Sequence, residues 1–587
     1  MAWFLIKGKL SLKQNVFSGR VGCTGGTVDL GGLRISLRPS GFVFEILWFD
    51  SKPTAPPTLS VRELAWVERM WRMAYRVIRT AYRLTSTQRT YCKLRWMDIL
   101  LDLPEAYQRA SGFFRGISYE QWVESFDSLN EEDRIAIKES QAKWHIFPMI
   151  QIHVIGQEAC EISKNRWLML LSPGDQLSEH ALYWFACEIL SHPEAALIYS
   201  DDDELDGGHR CRPRFKPDWS ITHLRATDYI GRAVVINVRA LEAAGGLSSE
   251  NLAGDTWELL QRVGEQAVDY VRHIPAILLH RDAEEVKQCS VTIRRVHYPV
   301  PQSAPLVSII IPTRDALELL RQCVESILLK TTYTNFEILV IDNGSRDPAT
   351  LDYLAKIERR SRVRVYRYDR PFNYSAINNF AARQSSGEAL CLLNNDTEVI
   401  SPDWLEEMVG HLFQWKVGVV GAKLYYPDGR VQHGGDVVGP GGCANHLHQF
   451  SARHDPGYCH RAAVAQELSA VTGACLVTKR DLYQRFGGLD ETHLPVAFND
   501  VDYCLKVRQA GYKVVWTPHA ELYHHESVSR REDKSTERMR VAKREVAYMR
   551  RRWSKEMQCD PFYNQNFSYS RSDFVLGPAP NVKKPWL

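Results

Sequence analysis

From about residue 305 the chain alternates strand and helix patterns, which restricts it to few architectures. Val307-Ser-Ile-Ile-Ile-Pro312 is an apolar run of strand length, and Ala316 to Lys330 repeats with helical period. Phe336-Glu-Ile-Leu-Val-Ile-Asp342 reads as a second strand, followed by a helix near 348–359. Arg362 to Tyr368 reads as a third, and a helix over 375–385 leads to the strand Ala389-Leu-Cys-Leu-Leu393. This alternation predicts an α/β fold, a parallel sheet with helices on both faces. Ligands of open α/β sheets collect at the carboxyl ends of the strands. There the strand ending at Leu393 runs directly into Asn394-Asn395-Asp396-Thr397. A carboxylate so placed can hold a divalent cation against phosphate oxygens, because hard cations choose oxygen ligands. The same residue types also suit a turn or a helix N-cap.

A chain of 587 residues has room for roughly three to four domains. Its 44% hydrophobic and 24% charged residues are those of an ordinary globular protein, and a formal charge of +3 gives no reason to expect nucleic acid as a partner. The 13 cysteines form no C-x-x-C pair and several lie inside apolar runs, as at Cys391, Cys475 and Cys504, which favours a reducing compartment. The start, Met1-Ala-Trp-Phe-Leu-Ile-Lys7, turns polar too soon for a signal peptide, and no stretch has the length of a membrane span. The expectation is a soluble, cytoplasmic protein.

Residues 1–52 look β-rich and glycine-punctuated, and Pro53 to Pro57 read as a linker opening a segment that extends to 109. Within it, Ser60-Val61-Arg62-Glu63 has capping-box spacing. The helix it would open carries Leu64, Val67, Trp71, Ile78 and Tyr82 on one side and Arg69, Arg72, Arg76, Arg79 and Arg83 on another. Such a helix suits either an anionic membrane surface, a peripheral contact, or packing on the protein with a solvated basic face.

The chain also repeats itself. Trp167-Leu-Met-Leu-Leu-Ser-Pro-Gly-Asp175 aligns with Ala389-Leu-Cys-Leu-Leu-Asn-Asn-Asp-Thr397, and Gly245-Gly-Leu247 with Gly487-Gly-Leu489. Asp255-Thr-Trp-Glu resembles Asp500-Val-Asp-Tyr, and His273 to His280 matches Trp516 to His524. A period this long indicates duplicated domains. The first copy has Ser172-Pro173-Gly174 where the second has Asn394-Asn395-Asp396, and one strand-like segment, Ile150–Ile155, closely precedes its motif. Residues 110–290 are therefore expected to be a truncated copy without a donor site, 300–570 the complete one, and 571–587 a tail.

With these residues placed, the chain resembles glycosyltransferase family 2 of the GT-A fold. Among its members it is most similar to the large bacterial proteins of O-antigen and other surface-glycan assembly that are labelled rhamnosyltransferase-like. The resemblance rests on Val307 to Asp315, Val340-Ile-Asp-Asn-Gly-Ser345, Arg370-Pro-Phe-Asn-Tyr-Ser-Ala-Ile-Asn-Asn379, Leu392 to Glu398, Ala497-Phe-Asn-Asp-Val-Asp502 and Tyr523-His-His-Glu-Ser527. It implies a Rossmann-like half that binds a nucleotide-diphospho-sugar, UDP- or dTDP-linked, and an inverting transfer to a glycan or lipid-linked acceptor with Mn2+ or Mg2+. In that reading Pro312, Thr313 and Asp342 face the nucleotide, and Asp342 can accept from a uracil or thymine imide. Asn378, a helix-start residue, lies where the family contacts ribose and phosphate. Asn394 and Asn395 lead into Asp396, the retained carboxylate of an Asp-x-Asp motif whose first position here is Asn394. His524 or His525 would join Asp396 on the metal. Asp500, in the first turn of a helix whose dipole favours an ionised acid, is the implied general base. Asp502 supports the site or holds an arginine, while His433 and Gly473 frame the acceptor.

Two other classes compete. A non-catalytic glycan-binding scaffold would have no need of Asp342, Asp396 and Asp500 together. A nucleotidyltransferase would carry a glycine-rich basic loop after the first strand, and Pro312-Thr313-Arg314-Asp315 is not one.

Overall fold

The computed structural model describes the strands between Val21 and Leu47, and residues 118–587 apart from 158–165, 249–255, 289–290, 526–535 and 578–579. The Pro53–Pro57 linker, the Ser60–Glu63 capping box, the basic helix behind it and Asp255 lie outside the described residues. The chain divides into two compact units, Met1–Arg115 and Gly116–Leu587. In the first, Val21–Cys23 pairs antiparallel with Gly26–Val28, and Gly32–Arg38 with Gly41–Leu47.

The second unit holds two sheets. The larger contains β1 (Val307–Thr313), β2 (Phe336–Asp342), β3 (Val363–Arg367), β4 (Ala389–Leu393), β5 (Thr397–Val399) and β6 (Val417–Tyr425). It is completed by β7 (Val431–His433), β10 (Gln466–Glu467), β11 (Cys475–Lys479) and β12 (Lys513–His524), while β8 (Asp436–Val438) and β9 (Ala444–His446) form a separate hairpin. The main order is β3-β2-β1-β4-β11-β6-β12-β5. Strands β1 to β4 run parallel, because α1 (Leu317–Lys330), α2 (Pro348–Ile357) and α3 (Tyr374–Gln384) carry the chain back between them. The expected boundaries of these elements differ from the observed ones by a few residues. Ile309, Ile338 and Cys391 share a register row, all fully buried, as apolar runs enclosed on both faces require.

At β4 the direction changes. Leu393 pairs with Cys475 of antiparallel β11, which passes the sheet on to β6 and β12. Val471 fills the place a side chain would take at Gly421 on β6, its Cβ lying 2.4 Å from where one would begin. The outer helices are α4 (Trp404–Leu412), α5 (Arg480–Arg485), α6 (Asn499–Gln509) and α7 (Thr536–Arg552).

The smaller sheet repeats this strand order. Trp167–Leu171 pairs antiparallel with Val234–Asn237, and that strand with Leu197–Asp206. Leu197–Asp206 then runs parallel to Val271–Asp282, whose far edge takes Gln176–Leu177. This is the sequence β4, β11, β6, β12, β5 over again. On the outer side of Trp167–Leu171 lies one parallel strand, Ile150–Val154, where the larger sheet has β1, β2 and β3.

Two seams join the sheets. Glu467 of β10 is buried and accepts from the Thr222 N–H at 3.2 Å, the Thr222 hydroxyl at 2.8 Å and the Ser220 hydroxyl, covering the start of the helix Ile221–Ala226. The C-terminal segment crosses to the smaller sheet, where Asn564 Nδ2 donates to Asp201 at 2.9 Å and Trp586 Nε1 to Asp133 at 2.7 Å. Removing Glu467 would strand buried donors on the other side, so Glu467→Ala should lower unfolding stability by about 2–4 kcal/mol, read by denaturant titration. A loss within experimental error would show that Glu467 is not a structural tie.

Candidate functional site

The change of direction at β4 brings several chain segments to one place. The Asn394 N–H donates to the Ala474 carbonyl at 3.0 Å, and Thr397 of β5 lies opposite His524 of β12. Asp396, 8% exposed, sits in the turn between β4 and β5, with one carboxylate oxygen 3.1 Å from His524 Nε2. Gln432 of β7 orients that imidazole. Its amide N–H donates to the His524 carbonyl at 3.3 Å, so its oxygen faces His524 Nδ1 at 2.6 Å, and Nδ1 carries the proton. In the neutral imidazole Nε2 then presents its lone pair toward Asp396, with the Asn394 amide N–H also aimed at it from 3.2 Å. A carboxylate oxygen and an imidazole lone pair facing each other suit a divalent cation, and a hydrogen-bonded outer partner is the usual support of a ligating histidine.

His525 is not part of this arrangement. Successive residues of an extended strand point to opposite sides, and its Nε2 turns to Glu398 at 3.3 Å, beside Lys330 and Gln322. Of the two candidate histidines the geometry selects His524.

Thr313 and Asp342 are register partners at the ends of β1 and β2. Thr313 Oγ1 accepts from Asn395 Nδ2 at 2.9 Å, tying the first strand's end to the Asp396 turn, while Pro312 precedes it half-buried. Asp342 accepts from the Ser345 N–H at 2.8 Å and is paired with Arg367 of β3, so a base placed here has to share it with a guanidinium. Asn378 is not at a helix start. Asn373 is the N-cap of α3, and Asn378 lies a turn further in, fully buried, its side-chain amide Nδ2 donating to the Tyr374 carbonyl at 2.8 Å.

Asp500 occupies the first turn of α6. Its oxygens accept from the Gly473 N–H at 2.7 Å and the Val501 N–H at 2.8 Å. The preceding Phe498 is held at φ 58, a strained conformation for a bulky residue, and that turn aims the helix start. The helix start favours the ionised form of Asp500, and burial acts in the opposite direction. Burial pushes its carboxyl above the ordinary value, against the Gly473 N–H, and nearby Asp436 adds to the rise. Tyr374 links the Asp396 turn to the Gly473 segment, its hydroxyl lying 3.2 Å from Asn394 Oδ1 and 3.0 Å from the Gly473 carbonyl.

Asp502 is buried and holds α7 in place through Trp553 Nε1 at 2.9 Å and Arg552 at 3.2 Å. Glu545 of α7 accepts from the Val496 and Ala497 N–H groups at 2.8 and 3.1 Å, bracing the loop before Asp500. His433 is buried and turns to Asp436 and His446 rather than into the cleft, and burial pushes its ring down to about 3. Tyr374 and Glu545 were not singled out as site residues from the sequence, since their roles depend on helix packing.

The matching strand end of the smaller sheet is closed by its own ion pair, with Asp175 taking Arg232 in two bonds of 2.7 and 3.0 Å. Its acidic run is likewise matched: Asp201 meets His273, Asp202 meets Arg214, Lys216 and Arg281, Asp203 meets Arg210 and His280, and Glu204 meets Arg212.

Residues 308–459 match the family Glycosyl transferase family 2. An uncharacterized protein of Sinorhizobium fredii, y4gI, is 44% identical over 455 residues, covering 71% of this chain and 50% of that protein. The O-antigen biosynthesis protein RfbC of Myxococcus xanthus is 36% identical over 462 residues, 72% of this chain and 35% of that one. The chain thus spans half or less of these relatives. A mannosyltransferase of Pyrobaculum calidifontis, solved with GDP-Man and Mn2+, aligns at TM-score 0.31 and 17% identity over 45% of this chain and 76% of that one.

The Gln432 contact makes a specific prediction. In nitrogen NMR of histidine-labelled protein, His524 should appear as the Nδ1–H tautomer, and Gln432→Leu should release that preference. A protonated Nε2 in the unaltered protein would contradict the assignment.

Proposed function

The chain belongs to glycosyl transferase family 2 through residues 308–459, and on that premise we propose that it transfers a sugar from a nucleotide-diphospho-sugar to a glycan or lipid-linked acceptor in surface-polysaccharide synthesis, with inversion at the anomeric carbon. The observation that carries this is the convergence of Asp396, His524 and Asp500, connected through Asn394, Tyr374 and Gly473 at the strand ends of one sheet. The relative named for O-antigen biosynthesis supports the choice of acceptor class.

In this reading the ends of β1 and β2 receive the base and ribose, with Thr313 and Asp342 facing the nucleotide. A divalent ion, Mn2+ or Mg2+, held by Asp396 and His524 would supply positive charge to the leaving diphosphate. Asp500 takes the proton of the acceptor hydroxyl as that oxygen bonds to the anomeric carbon and the bond to the nucleotide diphosphate breaks. Its raised pKa makes it a stronger base, and the Gly473 N–H keeps it aimed. Positioning contributes much of the acceleration in such displacements, which is the use of the bracing from α7. The smaller sheet we assign to positioning a large acceptor or supporting the transferase domain, because Asp175 and Asp201 to Glu204 are taken up by internal cations.

Asp500→Asn should bind donor normally and lose turnover by roughly a hundredfold or more. Asp396→Ala should lose metal-dependent donor binding itself. Collapse of donor affinity in the first variant, or full activity of the second in Mn2+, would reject the corresponding role. A base must be ionised, so turnover falls as pH drops through the folded pKa of Asp500. Because burial raises that value, the acid limb should lie above pH 3.8, the ordinary Asp value. A limb at or below it would argue against Asp500 as the base.

A further inference from the structure

Near Asp500, three potential metal ligands converge on the loop that carries Gln432. His433 ends β7, Asp436 begins β8, and His446, the register partner of Asp436, ends β9. His446 Nδ1 lies 2.5 Å from Asp436 Oδ1 and 3.0 Å from His433 Nδ1, and His433 Nδ1 is 3.6 Å from the same carboxylate oxygen. Among the described residues this is the group of histidine, cysteine and acidic side chains whose ligand atoms lie close enough together to share one ion. His433 and Asp436 are buried, whereas the His446 side chain is 34% exposed.

The chain is bent to make this contact. Gly435, at φ 88, turns between His433 and Asp436, and a Cβ on Gly434 would come within 2.8 Å of the Leu447 carbonyl. The ion pairs of Asp436 among the described residues are with these two imidazoles, and no lysine or arginine joins them.

If His446 Nδ1–H donates to Asp436, His433 Nδ1 must carry no proton, or two N–H groups collide at 3.0 Å. His433 is then the Nε2–H tautomer, whose proton faces the Thr472 N–H 3.4 Å away. That tautomer aims the His433 Nδ1 lone pair at the other two groups, and a cation bound to both Nδ1 atoms and the carboxylate would take the place of the His446 proton. Around a zinc ion with bonds near 2.0–2.1 Å, ligand atoms stand roughly 3.3 Å apart, so two of the three separations already fit within about 0.3 Å and the His446–Asp436 pair would open. We propose that His433, Asp436 and His446 form a second divalent-cation site, separate from Asp396 and His524, that takes a transition-metal ion, zinc by its donor set, with a further position left to water.

Two imidazoles and one carboxylate are the donors of known zinc centres, and they are poor ligands for Mg2+. The ion would pin the hairpin to the end of β7, the strand whose Gln432 orients His524, and so stiffen the donor site.

The test is metal content of the full chain by mass spectrometry after equilibration with Zn2+ and dialysis, for the unaltered protein, His446→Gln and Asp396→Asn, with thermal melts to confirm folding. Cobalt substitution gives an independent visible-absorption readout of the same ligands. The expected result is one retained equivalent of zinc that His446→Gln loses and Asp396→Asn keeps. Asp436→Asn serves as the second variant if His446→Gln melts early. The proposal is overturned if the unaltered protein retains no zinc, or if the zinc leaves with Asp396→Asn and stays with His446→Gln. A failure of this site leaves the transferase reading intact, since that reading rests on Asp396 and Asp500.

Discussion

The pairing of β4 with antiparallel β11 governs the rest of the structure. Up to β4 the sheet is parallel and its strand ends line up on one rim, with Thr313 opposite Asp342. At β11 the chain approaches the same rim from the other direction, so Leu393 leaves the sheet where Cys475 enters it. Asn394 and Ala474 are therefore hydrogen-bonded neighbours, and the turn that carries Asp396 lies beside the segment that carries Gly473. A single reversal of strand direction thus brings together residues far apart in sequence.

Much of this was legible from pattern. The apolar runs of β1, β2 and β4 and the helical periods between them specify a buried parallel sheet, and Asp396 after Leu393 follows from where such strands end. The first-turn position of Asp500 was also readable, because Asn499-Asp500-Val501-Asp502 opens an amphipathic run. Choosing between His524 and His525 was not. Both stand at the end of the same strand, and only its pairing with β5 and the position of Gln432 fix which ring faces Asp396. The ionisation of Asp500 was hidden for a similar reason, since the helix-start effect is local and burial is tertiary. Asn378 was misplaced because the true N-cap, Asn373, lies in a segment with several capping-competent residues.

The duplication explains how one strand pattern serves two ends. Both sheets keep the same five-strand order, but the smaller one has a single parallel strand beyond Trp167–Leu171 and closes its strand end with Arg232 on Asp175. Asp201 to Glu204 of that sheet are buried, and burial of such charges is tolerable only with partners. Burial opposes ionisation of Asp202, and Arg214, Lys216 and Arg281 nevertheless hold it well below the usual carboxylate range. In the larger sheet Asp396 meets an imidazole instead of an arginine.

The central claim is that this rim handles a nucleotide-diphospho-sugar with a divalent ion. It is tested most directly by incubating the full chain with a panel of such sugars, with Mn2+ or with EDTA, and measuring released nucleotide. The account predicts release from at least one donor in Mn2+ and its loss in EDTA. Release that is indifferent to EDTA, or no release from any donor in the presence of a polysaccharide-precursor acceptor, would contradict it.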